Sequence, residues 1–83
     1  MTHLMPDALA FLAIHAHHFV TSHRPCMGDH MLRATTDRGR TATLTATEVV
    51  ALCEAGLMAP AGGYSVSITE AGRLALAAER ETV

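Results

Sequence analysis

Residues 56–73 read GLMAPAGGYSVSITEAGR, and this stretch indicates how the C-terminal half of the chain folds. Gly56 is typical of the residue that follows the last turn of a helix, and residues 60–63, Pro-Ala-Gly-Gly, predict a tight turn. Residues 64–68 alternate apolar and polar side chains, which is the period of a half-buried strand. Thr69, with an acidic residue after it, is typical of a helix start. The stretch therefore predicts a short strand, a turn, a second strand and a new helix.

The segment immediately before Gly56 predicts an amphipathic helix over residues 46–55. Thr45 and Glu48 have the spacing of a capping box, in which each side chain accepts a hydrogen bond from a backbone N–H that the helix leaves unpaired. An apolar face follows, formed by Ala46, Val49, Val50, Leu52 and Cys53. The cap, the apolar face and the closing glycine all indicate the same helix.

A first helix is expected to begin at Pro6 and Asp7, because proline suits the first turn and an acidic residue there interacts favourably with the helix dipole. The side chains expected to share its inner face are Leu9, Leu12, Ala13, Ala16, Phe19 and Val20. Phe11 and Ile14 are expected on the opposite side, with His18 between them. A helix that is apolar on two sides is expected to contact its own core and a partner. The alternative is that other elements of the same chain surround it.

The last helix is expected to face the core with an alanine-rich stripe. Its members are Ala71, Leu74, Ala75 and Ala78. Leu76 then points away from this stripe and is available to a partner. The residues predicted to bind a partner are therefore Phe11, Ile14, His18 and Leu76.

The central segments have no clear period. Residues 21–30, TSHRPCMGDH, predict a loop by their composition. Residues 31–44 allow either a hairpin that turns at residues 37–39, between Thr-rich arms, or a short helix over residues 29–35 that Asp29 caps. The sequence leaves these two alternatives open.

The composition predicts one domain over residues 1–83. The chain is 49% hydrophobic and 17% charged, which favours a packed core over disorder. Its two cysteines are too few for a disulfide framework, and the N-terminal apolar run is too short to cross a bilayer. We therefore expect a cytoplasmic protein with reduced thiols. The net charge is −2 and all six cationic residues are arginines, which is a poor basis for neutralising phosphates.

The C-terminal half of the chain resembles the second half of a winged-helix domain of the MarR or PadR kind. It shows the same order of elements: a helix ending in Gly-Leu, a short strand, a glycine turn, an alternating strand and a helix that starts with Ile-Thr-Glu-Ala-Gly-Arg. The residues that carry the resemblance are 48–57 and 64–74. It implies an α+β fold, a small winged-helix-like domain with three or more helices and a short β-hairpin, the wing. It also implies that the helix before Gly56 is a recognition helix, that residues 57–68 form the wing, and that the terminal helices make a dimer.

The charges at these positions differ from those of a DNA-reading unit. The outward face of the helix over residues 46–55 carries Glu48 and Glu54, whose carboxylates would repel phosphates, and the wing carries no cation. If the chain binds nucleic acid at all, the expected contacts are Arg33, Arg38 and Arg40. The alternative for these arginines is a solvated hairpin face.

Five of the six histidines lie in one segment, HAHHFVTSHRPCMGDH. His23, Cys26 and His30 have a spacing that could place two or three ligands around zinc, because imidazole and thiolate are preferred zinc ligands. His15 and His18, one helical turn apart, could add another. The alternatives are ordinary surface or interface histidines, or a surface that gains positive charge as the pH falls through about 6–7. No cofactor is expected apart from zinc at this segment.

No catalytic signature is present in the sequence, and no small-molecule substrate or membrane is indicated. We expect a non-enzymatic module that acts through protein–protein interaction, as a small adaptor or inhibitor that binds another protein or a second copy of itself as a homodimer. Small phage proteins of this size include inhibitors of bacterial defence complexes, such as anti-CRISPR proteins, so a phage-encoded inhibitor is one expectation. The alternative is a winged-helix DNA-binding transcriptional regulator, which the charge disfavours.

Overall fold

The computed structural model describes residues 4–81, with side chains over residues 4–79; residues 1–3 and 82–83 of the expected domain lie outside it. The described residues form three helices and five strands in the order α1 (Pro6–His17), β1 (Val20–Cys26), β2 (Met31–Thr36), β3 (Thr41–Thr45), α2 (Ala46–Glu54), β4 (Met58–Pro60), β5 (Val66–Ile68) and α3 (Glu70–Glu81). The strands form two antiparallel sheets, β1–β2–β3 and β4–β5. The predicted α+β class is confirmed.

The hairpin between β2 and β3 is fixed by one threonine side chain. Thr36 Oγ1 accepts hydrogen bonds from the backbone N–H groups of Arg38, at 3.3 Å, and Arg40, at 3.1 Å. Gly39, with a φ of 82°, provides the left-handed residue that this turn requires. Of the two alternatives for this segment, the hairpin is confirmed and the short helix is wrong.

The prediction of a loop over residues 21–30 is wrong, because most of that segment forms β1. This strand pairs with β2 along its length, apart from a bulge between Val20 and Ser22. It lies at the edge of the sheet, where Pro25 is tolerated although it has no N–H to donate. The bulge and the proline break the alternation that would otherwise have indicated a strand.

Residues 56–73 fold as a helix end, a hairpin and a helix start, as predicted. The Thr45 cap of α2 is confirmed, since Thr45 Oγ1 accepts from the Glu48 N–H at 3.2 Å. Thr69 caps α3 in the same way, accepting from the Gly72 N–H at 3.0 Å. Its hydroxyl also donates to the Gly56 carbonyl at 2.6 Å. Thr69 therefore ties the end of α2 to the start of α3.

Both sheets and all three described helices share one core. The largest fully buried side chains are Phe11, Leu12, Leu44 and Met58. They come from α1, β3 and β4, and α1 itself packs against β3, β5 and α3. The two sheets are therefore connected through α1.

The outward face predicted for α1 is wrong. Phe11 is 0% exposed and Ile14 is 6% exposed, whereas Phe19, which was expected to face the core, is 71% exposed. The helix ends at His17, so Phe19 is not on its face, and the neighbouring elements cover the side on which Phe11 lies. The alternative that other elements of the same chain surround this helix is confirmed.

The outward direction predicted for Leu76 is also wrong. Leu76 is 4% exposed, whereas Leu74 is 66% exposed. Gly72 sets this rotation of α3, because a methyl group at position 72 would overlap the carbonyl oxygen of Leu57. A helix that approaches a backbone this closely turns its glycine inward, and Leu76, one turn later, faces inward with it.

Candidate functional site

An apolar groove of about 600 Å³ lies between α2, the β1–β2 corner and the β4–β5 hairpin. We call it the α2 groove. Its apolar lining includes Pro25, Met31, Leu32, Val49, Val50 and Val66. Cavities that take ligands or partner side chains have volumes of about 300–1,000 Å³ and are mostly apolar, so the size and lining suit binding.

Two large apolar side chains of the α2 groove remain in contact with solvent. Val50 is 54% exposed and Tyr64 is 58% exposed. Val49, the neighbour of Val50 on α2, is 7% exposed and belongs to the core. The apolar face of α2 therefore extends beyond the residues that pack in the core, and the part outside the core forms one wall of the groove.

The charges at the α2 groove have one sign. Among the described residues that line it, the charged ones are Asp29 and Glu54, both exposed carboxylates. A group that enters the groove is therefore favoured if it is apolar with a positive flank.

A pair of histidines joins α1 to β1. His15 Nδ1 lies 2.7 Å from the carbonyl oxygen of Phe11, so this nitrogen carries the proton and donates it. The Nε2 atom of neutral His15 is then an acceptor, and His23 Nε2–H donates to it over 2.9 Å. The Phe11 carbonyl thereby fixes the tautomer of His15, and His15 fixes that of His23.

The pKa values of both histidines lie below the usual value for this residue. Burial lowers the pKa of His15, and the hydrogen bond to the Phe11 carbonyl opposes this shift. Burial also lowers the pKa of His23, and the neighbouring His15 ring adds repulsion to a positive charge. The recess around the pair is also lined by His18 and Arg73. The contact between the two Nε2 atoms requires one of them to accept, so at most one of the two rings can carry a second proton while the contact persists.

The structure does not bring together the residues predicted to hold zinc. His23 faces His15, whereas Cys26 lies on the opposite face of β1, with Sγ 3.6 Å from the Arg24 carbonyl oxygen. His30 is exposed in the turn before β2. Within residues 4–79, no group of three or more His, Cys, Asp or Glu side chains is placed to hold a metal ion.

The predicted nucleic-acid contacts all lie on the first sheet or its hairpin turn. Arg33 is exposed on β2, and Arg38 and Arg40 are exposed in the turn between β2 and β3. The register adds Arg24, which lies directly opposite Arg33 on β1. The sequence did not indicate Arg24 because residues 21–30 were interpreted as a loop; recognising β1 would have placed it on the same face.

Of the four residues predicted to bind a partner, three are unavailable. The side chains of Phe11, Ile14 and Leu76 are buried in the core. His18 is half-buried at the end of α1 and lines recesses beside β1 and β3. The exposed apolar surface lies instead at the α2 groove, which residues 46–55 indicated only through the apolar character of Val50.

No family model matches the chain, and no curated protein and no solved structure is similar to it. None of the helices in the described part of the chain is long and apolar enough to cross a membrane.

Proposed function

We propose that this protein is a non-enzymatic binding module that acts on another protein through the α2 groove. The observation that carries the proposal is an apolar groove of about 600 Å³ with Val50 and Tyr64 exposed in its walls. Contact with an apolar segment of a partner would remove these side chains from water, which is the main favourable term in most protein association.

The occupant that fits the α2 groove best is an apolar segment flanked by Lys or Arg. Asp29 and Glu54 attract such flanks. A symmetric dimer formed through the same groove would place these carboxylates near their own copies, which is unfavourable. The proposed partner is therefore a different protein, and the homodimer that the sequence suggested is the competing outcome.

A small adaptor or inhibitor is the kind of protein that this proposal describes. A phage-encoded inhibitor of a bacterial defence complex, of the anti-CRISPR type, belongs to that class and remains part of the proposal. The cytoplasmic location is proposed as well, and the free thiols of Cys26 and Cys53 agree with a reducing compartment.

A displayed library of random peptides tests the occupant. We expect selection on the protein to enrich apolar peptides that carry Lys or Arg, and Val50→Lys to reduce their binding at least about tenfold, because it introduces a cation into the groove. Leu74→Lys is the matched control, since Leu74 is equally apolar, 66% exposed and lies on α3. The proposal would be contradicted if the selection enriched acidic peptides or if the two variants reduced peptide binding equally. It would also be contradicted if the protein formed a dimer that Val50→Lys dissociates.

A winged-helix DNA-binding regulator is the second candidate. Its support is that the β4–β5 hairpin follows α2 directly, as a wing follows a recognition helix. Its difficulty is that Glu48 and Glu54 lie on the helix that would meet DNA. If this candidate is correct, Ala51→Glu on the exposed side of α2 abolishes binding to duplex DNA. Unchanged binding would exclude α2 as the DNA-reading element.

A further inference from the structure

The first sheet leaves one face to solvent, and that face is basic and rich in hydroxyls. We call it the arginine face. Its polar part consists of Ser22, Arg24, Arg33, Thr35, Thr41 and Thr43, and the register adds a last row of Cys26, Met31 and Thr45 at the end away from the turn. The opposite face of the same sheet carries the core residues Leu32, Ala34 and Leu44. The arginine face is therefore the outer side of a sheet that is packed on its inner side only.

Two polar rows of side chains cross the arginine face. Arg24, Arg33 and Thr43 lie opposite one another on the three strands, so the first row has two adjacent cations. The second row consists of Ser22, Thr35 and Thr41. Like charges directly opposite on neighbouring strands are destabilising, and none of the six side chains of these two rows is a carboxylate. The face therefore carries a repulsion that an anion would relieve.

Two further arginines belong to the turn at one end of the sheet. Arg38 is exposed there, whereas Arg40 lines a recess with Ile14 and His18 on the α1 side of the sheet, opposite the arginine face. Arg38 and Arg40 belong to the turn after Thr36, whose hydroxyl accepts from both of their backbone N–H groups. The Asp37 N–H donates to the Phe19 carbonyl at 2.9 Å, which fixes the turn against the start of β1. Four of the six arginines of the chain lie on this sheet and its turn, and Arg24 and Arg33 on the arginine face with Arg38 in the turn are the three that are not on the α1 side.

We propose that the arginine face binds the phosphate backbone of duplex DNA. Arginine forms paired hydrogen bonds with phosphate oxygens, and Ser and Thr hydroxyls donate to them as well. The face has no aromatic side chain on which an unpaired base could stack, so duplex is favoured over single strand. The arginine residues of this surface do not line the α2 groove, although Met31 at the other end of the same face does, and the proposal does not depend on the proposed function.

The test measures anisotropy of a labelled, mixed-sequence duplex of about two helical turns, titrated with the full chain from about 50 to 200 mM salt. If Arg24, Arg33 and Arg38 each neutralise a phosphate, the slope of log K against log[salt] is about −2.7, because each neutralised phosphate contributes about −0.9. The double variant Arg24→Gln, Arg33→Gln is expected to reduce the slope by about 1.8 and to weaken binding about tenfold or more at the lowest salt.

Two controls separate the arginine face from net charge. Arg24→Lys with Arg33→Lys keeps the cations and is expected to retain most of the affinity. Arg73→Gln on α3 changes the net charge as Arg33→Gln does, and is expected to leave the slope unchanged. Thermal unfolding establishes that each variant is folded. The proposal would be overturned if the protein did not bind duplex at the lowest salt, or if Arg73→Gln and Arg33→Gln lost the same amount of duplex affinity. Equal affinity for single-stranded oligo-dT and duplex would also overturn it.

Discussion

The β1–β3 sheet and the segment from α2 to α3 pack against the same core but present opposite chemistry to solvent. Residues 20–45 contain four arginines and two aspartates, whereas residues 46–83 contain five glutamates and two arginines. The sheet shows arginines and hydroxyls, and the later segment shows an apolar groove with carboxylates at its rim. Folding does not require this separation, because isolated surface charges contribute little to stability. The two proposed binding surfaces, with different partners, would account for it.

The two regions are joined through the core that α1 shares with both, and the largest effect is expected at Phe11, which is fully buried in that core. Phe11→Ala should lower the free energy of unfolding by about 3–5 kcal/mol, because it leaves a cavity in the shared core. Phe19→Ala, at a side chain that is 71% exposed, should change it by less than about 0.5 kcal/mol. Urea denaturation measures both values, and amide exchange should show that both regions lose protection together. Similar effects of the two variants would contradict the burial of Phe11.

Gly72 tests the packing of the α2–α3 region alone. Gly72→Ala should lower the free energy of unfolding by roughly 2–3 kcal/mol, because the added methyl group overlaps the Leu57 carbonyl oxygen. Ala71→Leu enlarges the neighbouring, exposed position of the same helix and should have little effect. Calorimetry measures both. If Gly72→Ala stabilises the protein as a better helix former, α3 does not approach Leu57 this closely.

The histidine pair should make the attachment of β1 to α1 depend on pH. The folded-state pKa values of His15 and His23 are lowered, so the unfolded chain binds protons more readily. The stabilisation is therefore complete above the unfolded pKa of about 6.5 and is lost as the pH falls below it. Arg73, whose guanidinium is always charged, lines the same recess.

Urea midpoints measured at several pH values test this dependence. The double variant His15→Ala, His23→Ala should lose about 0.5–1.5 kcal/mol at neutral pH, the net contribution of a hydrogen bond, and should show a flatter decline toward acid. His30→Ala, at an exposed turn position, should keep the slope of the unaltered chain. A steeper decline in the double variant would mean that other groups cause the pH dependence.

The smallest expected effect is a gain in stability on the arginine face. Arg33→Thr should raise the free energy of unfolding by roughly 0.2–1 kcal/mol, because it removes a cation directly opposite Arg24. A double-mutant cycle with Arg24→Thr isolates the pairwise repulsion from the β-propensity of threonine. A favourable coupling between the two arginines would show that the pair stabilises the sheet and is not kept at a cost.

The ends of the helices were predictable because they depend on neighbours in sequence. Thr45 and Thr69 each cap a helix through a backbone N–H three residues later, and Gly56 takes a φ of 80° after α2. β1 was not predictable from local pattern, because the bulge after Val20 and the presence of Pro25 interrupt its alternation. Pairing with β2, rather than local propensity, makes that segment a strand.

The residue types of the candidate surfaces were predictable from the sequence, but the positions of these surfaces in the fold were not. The sequence indicated the separation of charge and three of the four arginines of the sheet. It did not indicate that Arg24 lies opposite Arg33, that His15 meets His23, or that Val50 faces a groove, since each of these contacts joins residues from different elements. The faces of α1 and α3 were misassigned because alanine-rich helices with apolar side chains on several sides have no single inward direction.

The sequence by itself determined the α+β class, the position of α2 and α3 and the sorting of charge, because caps, turns and composition act through residues a few positions apart. Only the tertiary structure decided which side chains are buried and which surfaces remain free. That choice depends on the close approach of Gly72 to Leu57, on the enclosure of α1 and on strand register, and these are contacts between segments that are distant in the chain.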